Sequence, residues 1–520
     1  MSASGNLRLV IVVVAFCCTS SSHSQTTAPS ASTAGAPPQL TAEQDHQRTM
    51  KLLDISTLRP GADNDAESPR AVNYDESKAN PYPTLPPALV LDNGTKVTTA
   101  KMWWSQRRPQ ILEEFAREVY GRVPKNVPEV AWSVGSVDHE FIGFSPVIAK
   151  EVIGHVDNSS CPDIAVNIRM IVVTPANAKG PVPLLILFGP AAFPSPNQPS
   201  EEEFSRLNSA LKKLLIEKDP SLKDVFDQHP AFQLSSRTPF QFPPRNEDGD
   251  PPNTWELVAD GWGFALLDPT TVQADNGGGL TRGIIGLTNR GQPRKPEDWG
   301  ALRAWAWGAS RALDYLESDS AVNAKQVGID GVSRYGKAAL ITMAYDPRFA
   351  AVLVGSSGKG GATLLRRKFG EAVESLAGFS YYWMAGNFMT YGASEANFES
   401  KKPSDIPVDS NELIALTAPR LTFISYGVPE KGDAKWLDHK GSFMATVLAN
   451  PVWPLLGAKG LAPMDGYTPD NMPPVNTNVL DGQLGWRQHD GGHTDAPNMK
   501  YFIEWADKFF GRPSVYHNIH

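Results

Sequence analysis

The sequence predicts an α/β fold in three layers, a mostly parallel sheet with helices on both faces. Three observations carry the prediction: short, near-continuous apolar runs, amphipathic segments between them, and a serine in a sharp turn where one run ends. Strands covered on both faces lose the alternation of a half-exposed sheet, and helical crossovers make them parallel.

The chain has 520 residues. Arg8, an apolar stretch over 9–16 and a small polar run through Ser24 match the three regions of a secretory signal, so residues 1–24 are expected to be a signal peptide. The apolar stretch is too short to span a bilayer. Phe16 stands before Cys17 where a lipoprotein signal has a small residue, so release without a membrane anchor is expected, into the periplasm or the medium. Cys161 would then be the one cysteine of the mature chain, which excludes an internal disulfide and a cysteine-based metal centre. Residues 25–50, rich in Thr, Ser, Ala and Pro, are expected to form a flexible linker, and 51–520 a single catalytic domain. A net charge of -8, with no concentrated basic stripe, argues against nucleic acid as a partner.

Between 101 and 119, Trp103, Trp104, Ile111, Leu112, Phe115 and Val119 recur at helical spacing, which predicts an amphipathic helix with its aromatics in the core. Segments 147–156 and 165–173 alternate and are β-branched, as expected of an antiparallel pair at a sheet edge. Continuous apolar strands follow at 182–188, 263–267, 326–329, 349–354 and 420–424. The clearest helix covers 299–316, where Leu302, Trp305, Ala309, Leu313 and Leu316 form one stripe. Residues 190–253 are too many for an ordinary connection and read as an insertion over one end of the sheet.

Chemistry in such sheets collects at the carboxyl ends of the strands. There the chain reads Asp330-Gly331-Val332-Ser333-Arg334-Tyr335-Gly336-Lys337 and enters an Ala-rich helix. Strand, serine turn and helix make up a nucleophile elbow, although Tyr335 occupies the position that usually holds a small residue and the second glycine is displaced to Gly336. A serine nucleophile needs a histidine base oriented by a carboxylate. The α/β-hydrolase order is serine, acid, histidine, with the histidine in the loop before the last helix. His493, in Gly491-Gly492-His493-Thr494-Asp495 ahead of the apolar segment 501–510, fits that loop, and His489 is its competitor. After Val354 the chain reads Gly355-Ser356-Ser357-Gly358 and offers no acid, whereas the loop after Ile424 offers Glu430, Asp433 and Asp438, with no means of choosing among them.

These residues resemble a family. The segment from Gly331 to Lys337 is similar to the G-C-S-R-x-G-K elbow of the glucuronoyl esterases, carbohydrate esterase family 15 of the α/β-hydrolase superfamily, in a bacterial form. Ser357-Gly358-Lys359-Gly360-Gly361 is similar to that family's S-G-x-G-G, and Trp436-Leu437-Asp438-His439-Lys440-Gly441 and Gly491-Gly492-His493 stand at similar places. The resemblance covers roughly 182–510. It implies that Ser333 attacks an ester carbonyl, that His493 is general base and then acid, and that Arg334 sits at the oxyanion. It further implies that Lys337 contacts sugar hydroxyls, Glu371 binds the uronic acid ring, and Trp436 packs on that ring. Fungal members carry the triad Glu where this chain has Ser356. Some bacterial members use an Asp after the later strand, which Asp433 matches best, while a one-residue difference in spacing to Trp436 leaves Asp438 open. With neither in reach, the enzyme would run as a weakened dyad.

The residues themselves agree with an anionic substrate. Arg334 needs an anionic partner, which is either a developing oxyanion or a loop acid in a salt bridge, and Lys337 at a helix start opposes the helix dipole. Tyr381, Tyr382, Trp383 and Phe388 are candidates for the wall of a sugar site, with core packing as the alternative. The expected function is hydrolysis of the ester between (4-O-methyl-)glucuronic acid of glucuronoxylan and lignin alcohols. No cofactor or metal is implied, and the chain is expected to act as a monomer. The alternatives are another α/β-hydrolase, such as an acetyl-xylan esterase or peptidase, and an inactive carbohydrate-binding relative.

Overall fold

The structure, a computed structural model, describes residues 39–63, 65–79, 85–235, 245–246, 249–461 and 471–514. The expected signal peptide and linker residues 25–38 lie outside them. The strands are β1 (Ile55–Leu58), β2 (Val130–Ile142), β3 (Ser145–Val156), β4 (Asn167–Pro175), β5 (Val182–Phe188), β6 (Gly263–Asp268), β7 (Val322–Val332), β8 (Ala351–Gly355), β9 (Ala393–Ala396), β10 (Leu421–Tyr426) and β11 (Leu484–Gln488). Among the described residues, nine of them form one sheet in the order β11-β10-β8-β7-β5-β6-β4-β3-β2, and β1 pairs with β9 in a separate antiparallel ribbon.

From β6 through β11 the pairings are parallel, and β2, β3, β4 and β6 pair antiparallel. Every residue of β8 and β10 is buried. Alternate residues of one strand enter different cores: Val352 and Val354 pack with the helix Ala301–Leu316, whereas Ala351 and Leu353 pack with the helix Ala496–Phe510. Two cores on opposite faces are why the strands read as unbroken apolar runs, and they make the three layers of an α/β-hydrolase.

Three expectations need correction. The predicted antiparallel pair is β3 and β4, but β2 covers its outer side, so the pair is not at the edge. β2 escapes the alternation test because most of its residues are exposed and its register shifts between Val134 and Val137. The linker stops short of residue 50, since residues 42–52 form a helix. Its composition is polar, but Thr41 and Gln44 cap it reciprocally, at 2.9 and 3.2 Å. The Tyr381 hydroxyl then ties it down by donating to Ala42 O at 2.8 Å. In the helical stretch from Ala100 to Tyr120, Trp103, Ile111, Phe115 and Val119 are buried, whereas Trp104 is 44 % exposed and lies under the Arg108 guanidinium.

Among its described residues, the segment 190–253 carries the helices Glu201–Lys218 and Leu222–Gln228, the first started by a capping box of Ser200 and Glu203.

Candidate active site

β7 ends at Val332, and Ser333 starts the helix Arg334–Tyr345 with φ 61° and ψ -126°. A non-glycine residue in that region stores about 1–3 kcal/mol of strain, held here by the sheet and the helix it joins. The Ser333 N–H donates to Gly355 O at 2.8 Å, which pins the turn to β8. A Cβ on Gly331 would stand 2.5 Å from the carbonyl of Tyr335, and one on Gly336 would stand 2.7 Å from Gly355 O. The turn therefore requires its glycines at 331 and 336. The Tyr335 ring leaves the turn and packs against Phe188 and Trp305, at ring centroid distances of 6.0 and 5.6 Å.

His493 lies in the loop between β11 and the helix Ala496–Phe510. Its Nδ1 is 2.7 Å from Oδ1 of Asp433, which is wholly buried, and the ring is 38 % exposed. Asp433 Oδ2 accepts from the Gly427 N–H at 2.8 Å and from the Ser356 hydroxyl at 2.8 Å. His439 Nε2 approaches the same oxygen to 3.3 Å, a contact that falls short of hydrogen-bond geometry. Burial disfavours a charge on Asp433, but His439, His493 and Ser356 outweigh it and hold the carboxyl well below the usual carboxylate range.

The other candidates are engaged elsewhere. Asp438 caps the helix His439–Ala449 and accepts from Arg367 Nε at 2.8 and 3.0 Å, both side chains being buried. Glu430 is exposed. His489 spends both ring nitrogens on the loop itself, accepting from the Gly491 N–H at 3.0 Å and donating to Thr494 O at 2.8 Å. Burial lowers its pKa, which keeps it neutral in that role.

Arg334 pairs with a loop acid. Its Nη1 is 2.5 Å from Asp275 Oδ2 and its guanidinium lies 5.2 Å from the Trp383 ring centroid, while the Trp383 indole N–H donates to Asp275 Oδ1 at 2.7 Å. Asp275 went unnoticed in the sequence because it precedes Arg334 by 59 residues. Its position shortly after β6 was the available signal, since that is again a carboxyl end. Trp383 does face this cluster, whereas Phe388 is fully buried and Tyr381 is spent on the N-terminal helix.

Lys337, Glu371 and Trp436 meet beside the elbow. Lys337 Nζ donates to Ser357 O at 2.5 Å and lies 3.9 Å from Glu371 Oε2. Burial lowers the pKa of its ammonium, and Glu371 opposes that shift. Glu371 Oε2 also accepts from the Lys359 N–H at 3.2 Å, and the Glu371 N–H donates to Trp436 O at 2.7 Å. Trp436 keeps 38 % of its surface exposed next to these buried charges.

A family model described as "Glucuronyl esterase, fungi" matches residues 294–457, which contain the elbow, Glu371, Asp433 and Trp436. A "Carbohydrate esterase MZ0003" from an unknown prokaryotic organism is 30% identical over 478 residues, 89% of this chain and 98% of the relative. A solved CE15 glucuronoyl esterase from Teredinibacter turnerae is 37% identical, with a TM-score of 0.73 over 90% of this chain and 100% of that one. The chain belongs to the glucuronoyl esterases of carbohydrate esterase family 15. As a member of that family it is a carboxylic ester hydrolase. The esterase is also 33% identical over 181 residues to a 4-O-methyl-glucuronoyl methylesterase of Cerrena unicolor, a match covering 35% of that protein. Among the described residues, no helix is long and apolar enough to cross a membrane.

Proposed function

We propose that the esterase hydrolyses esters of glucuronic acid or its 4-O-methyl ether through an acyl-enzyme on Ser333, with Asp433 and His493 completing the triad. Ser333 Oγ adds to the ester carbonyl while His493 Nε2 takes its proton, and that proton then leaves with the alcohol. Water, deprotonated by the same nitrogen, releases the uronate and restores the serine. Asp433 holds the Nδ1–H tautomer and stabilises the imidazolium. The 2.7 Å contact between His493 and a fully buried, ionised Asp433 carries this reading.

The Arg334 N–H, following the nucleophile, is one donor for the oxyanion, and the guanidinium beside it adds positive charge. Lys337, Glu371 and Trp436 supply a cation, an acceptor and an aromatic face for the uronate ring. Natural substrates on this reading are the esters joining glucuronoxylan to lignin alcohols, met by a monomer exported to the periplasm or the medium.

Turnover of benzyl glucuronate compared with a phenyl acetate ester tests the substrate class. Strong preference for the glucuronate is expected, and cleavage of the acetate alone would refute it. Loss of turnover in Ser333→Ala is expected on the same substrate, and an unchanged rate would refute the nucleophile.

A further inference from the structure

Two carboxyl groups meet beneath the site. Asp330 stands on β7 three residues before Ser333, and Asp495 follows His493 by two. They are 5% and 4% exposed, the strand register puts Asp330 on the face of the sheet that carries Leu353, and Asp495 is the charged side chain that acts on it. Asp495 Oδ1 accepts from Asn253 Nδ2 at 3.0 Å, while among the described residues Oδ1 of Asp330 receives no hydrogen bond. The sheet neighbours of Asp330 are Leu187 on β5 and Leu353 on β8, which bring no charge. The titratable group facing Asp495 from its own loop is His489, whose ring nitrogens are already engaged. The His493 loop lies directly against β8 on that face, since a Cβ built on Gly355 would be in ordinary van der Waals contact with that of Asp495, at 3.4 Å.

Two buried carboxylates in contact repel, whereas one proton between them turns the repulsion into a hydrogen bond. We propose that Asp330 and Asp495 share one proton, and that the resulting carboxylic acid–carboxylate bond fastens the His493 loop to the strand that ends in Ser333. Both are positioning residues, because they set the separation of nucleophile and base without touching the reacting atoms. The inference rests on the reading of Ser333 and His493 as that pair. Burial first, and Asp495 second, raise the pKa of Asp330 well above its ordinary value. The clamp is therefore intact at low pH and is lost as pH rises through that raised value.

The test is kcat and KM against pH on a glucuronate ester for the parent, Asp330→Ala, Asp330→Asn and Ser333→Ala. Asp330→Ala is expected to lower kcat about tenfold with KM within about twofold, as a misplaced base does. Asp330→Asn, whose amide donates to Asp495 without a titrating proton, is expected to recover most of that loss and to move the alkaline fall of kcat to higher pH. An alkaline limb identical in the parent and Asp330→Asn overturns the shared proton, even if Asp330→Ala does not fold. An undiminished kcat in Asp330→Ala overturns the clamp. Activity surviving in Ser333→Ala would overturn the nucleophile reading itself, and the positioning role with it.

Discussion

The Ser356 hydroxyl donates a 2.8 Å hydrogen bond to Oδ2 of Asp433, the oxygen that does not face His493. The resemblance to this family places the triad Glu of its fungal members at the position of Ser356. Here that position has become a brace for an acid supplied from the loop after β10, 77 residues further on. A buried carboxylate needs donors on both oxygens to stay ionised, and Ser356 shares that task with the Gly427 N–H. Ser356→Ala should lower kcat/KM about tenfold, from the loss of one hydrogen bond to a charged group, with KM nearly constant. Steady-state kinetics on a glucuronate ester check this, and an unchanged kcat would remove Ser356 from the support of the acid.

Asp433 and Asp438 should behave oppositely when truncated. Asp433→Ala should cost about two or more powers of ten in kcat, because His493 loses its orientation and its counter-charge. Asp438→Ala should act on the fold, since it removes the buried carboxylate on Arg367 Nε, leaving Glu76 on Nη2, and uncaps the helix at His439. With Glu76 still paired to the guanidinium, the loss should fall below the about 3–5 kcal/mol of an uncompensated buried charge, and it is visible as a lower Tm. A catalytic collapse in Asp438→Ala with normal thermal stability would reverse the assignment.

Asp433 also gives the fold a pH dependence. The folded-state pKa of Asp433 is depressed, so the stability it contributes is present above the unfolded carboxylate value of about 3.9 and fades as pH falls through the lower folded value. The stability difference between the parent and Asp433→Asn, measured by urea unfolding, should therefore shrink on acidification from about pH 5 towards pH 2. A difference that grows on acidification would mean that Asp433 is protonated in the native state.

The sequence announced the sheet because burial on both faces leaves strands such as β8 and β10 with no solvent side, so no charged residue interrupts them. β2 and β11 carried no such mark: one lies at the rim with a broken register, and the other is five residues with Arg487 and Gln488 among them. Ser333 and His493 were legible as candidates for a similar reason, since glycines and adjoining helices punctuate both loops. The acid was not. Asp433 and Asp438 are equally polar in sequence, and what separates them is a distant Arg367 that claims one while Ser356 and His493 claim the other. The partner of Arg334 was equally hidden, because the strand order places β6 and β7 on either side of β5 although the chain between them runs through the whole helix Ala301–Leu316.

One carboxylate, Asp275, fixes both Arg334 and Trp383, and this allows the two roles of Arg334 to be separated. With 45 % of its side chain exposed, the ion pair by itself is worth about 0–1 kcal/mol. If Arg334 served that pair alone, Arg334→Ala and Asp275→Ala would have equally small effects on stability and none on kcat. If the guanidinium faces the oxyanion, its removal leaves KM in place and lowers kcat about 10²–10³-fold, the loss known for one oxyanion donor. Asp275→Ala would then lower kcat less, since the charge remains but its aim is lost. Asp275→Asn would cost least, because the amide oxygen still accepts from Arg334 or the indole. The graded order Arg334→Ala, Asp275→Ala, Asp275→Asn in kcat is the expected outcome, and equal values for the first two would assign Arg334 to the salt bridge alone.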